Sequence, residues 1–154
     1  MTYILGPDFD RVDEAASFIP GTVAADSAGR RYKYVRYEAG AGAVAAVAGG
    51  VAYYYAPGGV SAGAVDVVTC DLSDSAEVGA GVLVAAPADG EYAWVQVTGP
   101  ATLAAGLTAG GDGDALTPTG ATDGTLDVSA AVTDHVCAVA VDASAKIVLC
   151  RFPE

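Results

Sequence analysis

Few side chains in this 154-residue chain are suited to chemistry. It contains one histidine, two lysines and three cysteines, against 20 glycines. Enzyme active sites generally combine a nucleophile, a base and groups that stabilise developing charge. Because so few such groups are available, we expect no catalytic site and no enzymatic activity.

The motifs that would hold a phosphate, a metal ion or a hydrolytic triad are incomplete. Neither Lys33 nor Lys146 follows a glycine-rich phosphate-binding loop, and no CxxC pair accompanies the lone His135. The GGDGD run at 110–114 is close to a calcium-binding nonapeptide but is not repeated, so we interpret it as a turn. Asp134 and His135 are adjacent, and neighbours on a strand point to opposite faces, which argues against a triad. We therefore predict no metal and no cofactor.

The three cysteines, Cys70, Cys137 and Cys150, are too few and too dispersed for a disulfide framework. They fit a protein made in a reducing cytosol. A tight turn at 142–145 would place Cys137 opposite Cys150 in a hairpin, close enough to bridge on oxidation. Reduced core thiols and a Cys137–Cys150 bridge are both compatible with the sequence.

Acidic residues dominate the charge. Nineteen acids against seven basic residues give a formal net charge of −12, which repels phosphate backbones and argues against nucleic-acid binding. Charged residues are only 17% of the chain, which favours a neutral surface held against a partner or another subunit. Residues 39–65 carry no charge but are rich in Gly and Ala, so we predict no transmembrane segment, and the first residues lack a signal-peptide pattern.

Four of the seven basic residues lie within seven positions. They are Arg30, Arg31, Lys33 and Arg36. One interpretation is a strand whose charged side chains face water; the other is a cationic stripe that docks on an acidic partner.

The pattern from residue 31 onward is typical of strands and turns. Runs rich in β-branched and aromatic residues predict strands at 32–37, 51–55, 65–70, 82–86, 92–98, 125–129, 136–141 and 146–152. The segments 87–90 and 142–145 predict hairpin connections. Recurrent glycine disfavours helices, so we predict an all-β fold: a small β-barrel or sandwich with Gly-rich turns.

Residues 1–29 show no sustained period and predict an N-terminal arm ahead of a β-barrel or sandwich domain at 30–154. A short helix over 10–16 is compatible with the arm. Its apolar anchors would pack on another surface or on the chain's own barrel; they are Tyr3, Ile4, Leu5, Phe9 and Phe18. We expect that residues 1–20 can be removed with the barrel still folded.

The strand with the single tryptophan has two different faces. Alternation places Ala93, Val95 and Val97 on one face, which suits a tight interior. The other face carries aromatic and amide side chains and suits a second core, a carbohydrate platform or a subunit contact. The candidate subunit contact consists of Tyr92, Trp94 and Gln96.

Three segments carry a resemblance to a known family. The GEYAWVQVTGP stretch at 90–100, the YVRYEAGAG run at 34–42 and the VCAVAV strand at 136–141 resemble head decoration (cement) proteins of tailed bacteriophages, over about residues 32–152. The resemblance implies a trimeric β-barrel or sandwich with no catalytic residues, made in the host cytoplasm. Such a protein sits on the outer capsid surface of the virion and clamps neighbouring major capsid protein subunits together.

Under this hypothesis the arm anchors and the basic cluster would meet the capsid. The alternative is a carbohydrate- or host-binding β-module of a virion fibre or adhesion protein. In that case Trp94 and the tyrosines at 53–55 would form a stacking platform.

Overall fold

The computed structural model describes residues 6–59 and 62–154, so the expectations for Tyr3, Ile4 and Leu5 lie outside the described residues. The predicted all-β fold is confirmed. The strands are β1 (Val23–Ala25), β2 (Arg31–Tyr37), β3 (Val51–Tyr55), β4 (Val67–Thr69), β5 (Ser75–Leu83), β6 (Tyr92–Gln96), β7 (Thr98–Thr102), β8 (Ala115–Thr117), β9 (Asp127–Val128), β10 (Ala138–Asp142) and β11 (Ile147–Arg151). A short 3₁₀ helix lies at Leu72–Asp74. No helix in these ranges is long and apolar enough to cross a membrane.

Five strands close into a small barrel. Their order is β2-β4-β3-β5-β6, and β6 pairs back onto β2. Closure leaves these strands with few free edges. The β2–β4 pair is parallel and the other pairs are antiparallel; β1 continues on the same edge of β2 as β4.

A second sheet, β7-β11-β10-β8-β9, covers part of the barrel. The main core lies between them and inside the barrel, and it includes Val35 and Val95 from the barrel with Leu116 and Val148 from the second sheet. The predicted division of the β6 faces holds here, because Ala93, Val95 and Val97 are buried and the two valines belong to this core.

A smaller aromatic cluster lies on the opposite face of β2 and β6. Tyr32, Tyr34 and Trp94 form its buried centre, and Phe9 packs against them. The Phe9 ring stacks on Tyr32 with centroids 4.1 Å apart, and Phe18 meets Trp94 edge-on at 5.3 Å. Of the options left open for this face, the structure shows a second core.

The described residues of the arm, 6–29, pack on the chain's own barrel. β1 belongs to the arm range yet pairs with β2, and Asp13 bridges to Tyr92. The compatible helix over 10–16 is absent, since this segment forms bends around the Asp13 bridge. This packing argues against removing residues 1–20 without consequence for the barrel.

Asp13 anchors the arm through its buried carboxylate. Tyr34 Oη donates to Asp13 Oδ2 at 2.6 Å, and Arg11 forms an ion pair with the same carboxylate. Burial by itself raises the pKa of Asp13, but hydrogen bonds from Tyr34, Ser17 and Arg11 and the Arg11 charge outweigh it, so the pKa is lowered from 3.8.

A carboxyl whose pKa is lower in the folded chain than in the unfolded chain stabilises the fold at pH values above its unfolded pKa. This contribution is lost as the pH falls through the folded pKa. Asp13→Asn is therefore expected to reduce the free energy of unfolding at pH 7 by about 1–2 kcal/mol. The difference from the wild type should begin to shrink below about pH 4, the usual pKa of an unfolded Asp, and should vanish only below the folded pKa, where the wild-type carboxyl is also protonated. Urea unfolding at pH 7 and pH 3 measures both values, and an equal difference at the two pH values would contradict this role.

The β10–β11 hairpin forms, but the predicted register was wrong by one residue. Cys150 pairs with Ala138 and Val139 with Leu149, and the pairing slips between Ala140 and Asp142. Lys146 adopts a left-handed conformation with φ 60°, and its N–H donates to Ala143 O, so the turn is displaced along the chain. Cys137 therefore does not face Cys150 across the hairpin, and all three cysteines are free and buried.

Candidate interaction surfaces

The four clustered basic residues are already engaged within the chain. Arg30 pairs with Asp26 at 2.7 Å, Arg31 with Glu154 at 2.7 Å and Arg36 with Glu38 at 2.8 Å. These guanidinium groups are partly exposed, so they remain reachable, but each already has an acidic partner. The structure therefore does not present them as one free cationic stripe.

Lys33, the fourth member, is buried. Only 5% of the residue is exposed, and its register partner Val95 belongs to the main core. Residues opposite one another on neighbouring strands point to the same side, so Lys33 lies on the barrel-interior face of β2. Its Nζ donates to Tyr54 Oη at 3.0 Å and to Val65 O at 3.3 Å. The interpretation of Lys33 as a solvated side chain was wrong.

The candidate subunit contact on β6 is largely enclosed. Trp94 is 1% exposed and Gln96 is buried, while Tyr92 is half-buried and stacks on Tyr34. A second subunit would reach Trp94 only after displacing Phe9 and Phe18.

Gln96 has a different task. Its Nε2 donates to Thr98 O at 3.0 Å and to Pro100 O at 2.9 Å. Pro100 itself has no N–H to offer. On the edge of β7 that does not pair with β11, Gln96 and Pro100 therefore leave few main-chain groups free to pair with another strand.

The aromatic platform expected for carbohydrate binding is not on the surface. Trp94, Tyr53 and Tyr54 are buried, and Tyr55 is half-buried. Tyr53 belongs to the main core, and its hydroxyl bonds to Thr122 O at 3.1 Å. Stacking on a sugar ring needs an exposed aromatic face, which Trp94, Tyr53 and Tyr54 do not provide.

The face of the second sheet that points away from the barrel is apolar. Val148, Ala138 and Leu116 belong to the core, so their neighbours Leu149, Val139 and Ala115 lie on the other face, where Ala115 is exposed and Val139 and Leu149 are half-buried. Register places the outward residues in one row across four strands, with Leu149 beside Pro100 and Val139 beside Leu149 and Ala115. We call Pro100, Leu149, Val139 and Ala115 the outer strip.

The outer strip has apolar neighbours and charged margins. Ile147 lies next to it on β11, and Val141, 53% exposed, lies beside it on β10. Two charged residues lie at its margins: Arg151 is the last residue of β11, and Asp127 is the first residue of β9. A row of four apolar side chains bordered by charge is typical of a contact surface. The continuous apolar runs at 138–141 and 147–149, which place apolar side chains on both faces of β10 and β11, carry the signal that sequence reasoning missed.

Other apolar side chains are exposed in loops. On the arm, Phe18 is 39% exposed and Ile19 is 81% exposed. In the loop before β10, Val132 and Val136 are exposed. These pairs enlarge the apolar surface that the chain offers to a partner.

Aspartate carboxylates stabilise several of the turns by accepting hydrogen bonds from main-chain N–H groups. Asp71 accepts from Gly42 N at 2.8 Å and Ser73 N at 3.0 Å, and Asp114 accepts from Gly111 N at 2.8 Å. Asp134 accepts from Ala130 N and Ala131 N, both at 2.8 Å, while His135 is exposed beside it. Within 6–59 and 62–154, no group of three or more His, Cys, Asp or Glu side chains is arranged to hold a metal ion.

The three cysteine thiols are poor nucleophiles in the folded chain. Burial raises the pKa of Cys70, Cys137 and Cys150 to about 12 in each case. Because the thiolate is the nucleophile and the metal ligand, these thiols are unreactive at neutral pH.

The described residues line at least two depressions. The larger, of about 740 Å³, lies between arm residues 7–10 and β7, and its charged wall is the paired Asp26 and Arg30 with Asp8 and Asp10. The smaller, of about 290 Å³, lies beside Lys33 and Tyr54 and is otherwise mostly apolar.

No protein-family profile, no curated protein and no solved structure matches this chain.

Proposed function

We propose that the chain is a capsid decoration (cement) protein that attaches to the outer surface of an assembled phage head and is not an enzyme. The observation that carries the proposal is the outer strip, an uncharged apolar row on a chain with a formal charge of −12. An acidic molecule that meets a partner through its uncharged face avoids much of the charge repulsion that its other faces would cause.

The internal bonding of the chain supports a passive, rigid role. Charged side chains near the surface are used to close turns and to pair with neighbours; Asp71, Asp114 and Asp134 are examples. The three buried thiols are unreactive at neutral pH. A scaffold of this kind presents a fixed surface, and pre-organisation lowers the entropy cost of binding.

Stabilisation of the shell would follow from mass action. A subunit that binds only the assembled head stabilises it by its binding free energy, and the effect is repeated at every copy. In this proposal the partner is the major capsid protein, the bound form is a homotrimer, and the chain joins the outside of the virion after synthesis in the host cytoplasm.

The arm and the basic residues have a reduced part in this proposal. Phe9 serves the chain's own aromatic cluster, whereas Phe18 and Ile19 retain exposed apolar surface for the capsid. Arg30, Arg31 and Arg36 can contribute only by exchanging their internal acidic partners for capsid carboxylates.

Val139→Asp tests the outer strip. The substitution places a charge in the middle of the row, and burying an unpaired carboxylate is costly, so affinity for heads should fall about 10- to 100-fold. The measurement is co-sedimentation with undecorated heads of the tailed phage that encodes the chain. Ser27→Asp adds the same charge on the exposed β1–β2 turn and should bind like the wild type.

Circular dichroism and thermal unfolding establish that both variants are folded. If Val139→Asp binds as tightly as Ser27→Asp, the outer strip is not the contact surface. If the wild-type protein itself stays in the supernatant, the decoration role is wrong.

A further inference from the structure

The end of the barrel near Lys33 combines a buried cation with a mostly apolar cavity. Five of the residues that line the cavity of about 290 Å³ are Tyr54, Val65, Ala76, Val78 and Pro153, and Lys33 and Glu154 complete the wall. The Lys33 Nζ lies on the hydroxyl side of the Tyr54 ring, 5.0 Å from the ring centroid.

Within the described residues, the hydrogen bonds of Lys33 use two of its three donors. An ammonium has three N–H groups, and two of them have acceptors among the described residues, Tyr54 Oη and Val65 O. The Tyr54 hydroxyl donates onward to Pro153 O at 3.3 Å, which leaves its oxygen free to accept from Lys33.

Both acceptors of Lys33 are uncharged. The salt bridges of the described residues are made by Arg11, Arg30, Arg31 and Arg36, and Lys33 makes none. A buried cation ordinarily has an anionic partner, since burial without one is costly. Glu154 lines the same cavity, but its carboxylate is held by Arg31 at 2.7 Å.

We infer that this cavity binds a carboxylate carried on a short apolar stem. The carboxylate accepts the third N–H of Lys33, and the stem lies against Val65, Ala76 and Val78. The apolar walls favour a monocarboxylate over phosphate, whose remaining oxygens would find few donors there. The Arg31–Glu154 pair neutralises the side-chain carboxylate that the described residues contribute to the cavity wall, which reduces the repulsion of an incoming anion. The site is separate from the outer strip.

Two sources can supply this chemistry: a free small acid, or a carboxylate that belongs to a protein chain. The probes are therefore 4-methylpentanoate for the first source and the dipeptide acetyl-Ala-Leu, with a free terminal carboxylate, for the second. 4-Methylpentanamide, neutral and of the same shape, is the control ligand.

The chain allows a direct readout because it contains only two lysines, Lys33 and Lys146. With ¹³C-labelled lysine incorporated, NMR resolves two Cε signals, and Lys146→Met assigns them. Addition of either carboxylate should shift the Lys33 signal saturably and leave that of Lys146 unchanged, and the tighter probe identifies the source.

Calorimetry on Lys33→Met provides the second measurement. Loss of a charge-assisted hydrogen bond should weaken carboxylate binding about 10- to 100-fold, while Lys146→Met binds like the wild type. The inference is overturned if neither carboxylate shifts the Lys33 signal, or if the amide shifts it equally. It is also overturned if folded Lys33→Met retains wild-type affinity.

Discussion

Gly81→Ala is expected to lower the free energy of unfolding by about 3 kcal/mol. Gly81 lies on β5 with φ 154°, a conformation that residues with a side chain rarely adopt. A Cβ at this position would lie 2.8 Å from Gln96 O and 2.8 Å from Val95 Cβ, both on the neighbouring strand β6. Because the barrel is closed, β6 cannot move away without disturbing β2 as well.

Thermal unfolding monitored by circular dichroism measures this effect, and a loss of 3 kcal/mol corresponds to roughly 10 °C for a domain of this size. Gly106→Ala is the matched control, since a Cβ there meets nothing within 4 Å, and its effect should stay within about 0.5 kcal/mol. Equal stability of the two variants would show that β5 and β6 are less closely packed than described.

Removal of residues 1–20 is expected to destabilise the barrel by about 4 kcal/mol and to shift the fluorescence emission of Trp94 to longer wavelength. The deletion takes away Phe9 and Phe18, whose rings contact Trp94 at 5.2 Å and 5.3 Å. It also removes Asp13, the hydrogen-bond partner of Tyr34. The loss exposes to water an aromatic cluster that is buried in the full chain.

The emission spectrum reports on one site only, because the chain has a single tryptophan. Ile19→Ser is the control: this side chain is 81% exposed, so neither the spectrum nor the stability should change appreciably. A truncated protein with the emission and the unfolding midpoint of the full chain would mean that the arm does not cover Trp94 in solution.

The sequence was sufficient to predict three of the strands, whereas the run predicted at 82–86 overlaps the longest strand, β5, only at Val82 and Leu83. β2, β3 and β6 are rich in tyrosine and valine, and their predicted positions agree with the structure to within a residue or two. β7 was not predicted as a separate strand, because Thr98–Thr102 contains the Gly-Pro pair that usually marks a turn. It is a strand because β11 pairs with it over five residues. Such long-range pairing leaves no trace in local composition.

The interaction surfaces were harder to predict for two physical reasons. Sequence reasoning assigned Lys33 to solvent because lysine is rarely buried, and only the closed barrel places it beside Tyr54. It left the Trp94 face open between a second core, a carbohydrate platform and a subunit contact, since aromatic residues are also enriched at interfaces, and only the structure shows that the arm covers Trp94. The outer strip was recognisable only once register had shown which side of β10 and β11 faces the core.

The Gln96–Pro100 arrangement has a consequence for molecules displayed at high density. Side-by-side copies of an exposed β-ribbon tend to zip together into fibres. On the edge of β7 that does not pair with β11, the Gln96 side chain already donates to Thr98 O and Pro100 O, and the nitrogen of Pro100 has no hydrogen to donate. Copies of the chain that lie close together would therefore not pair through this edge of β7 into a continuous fibre.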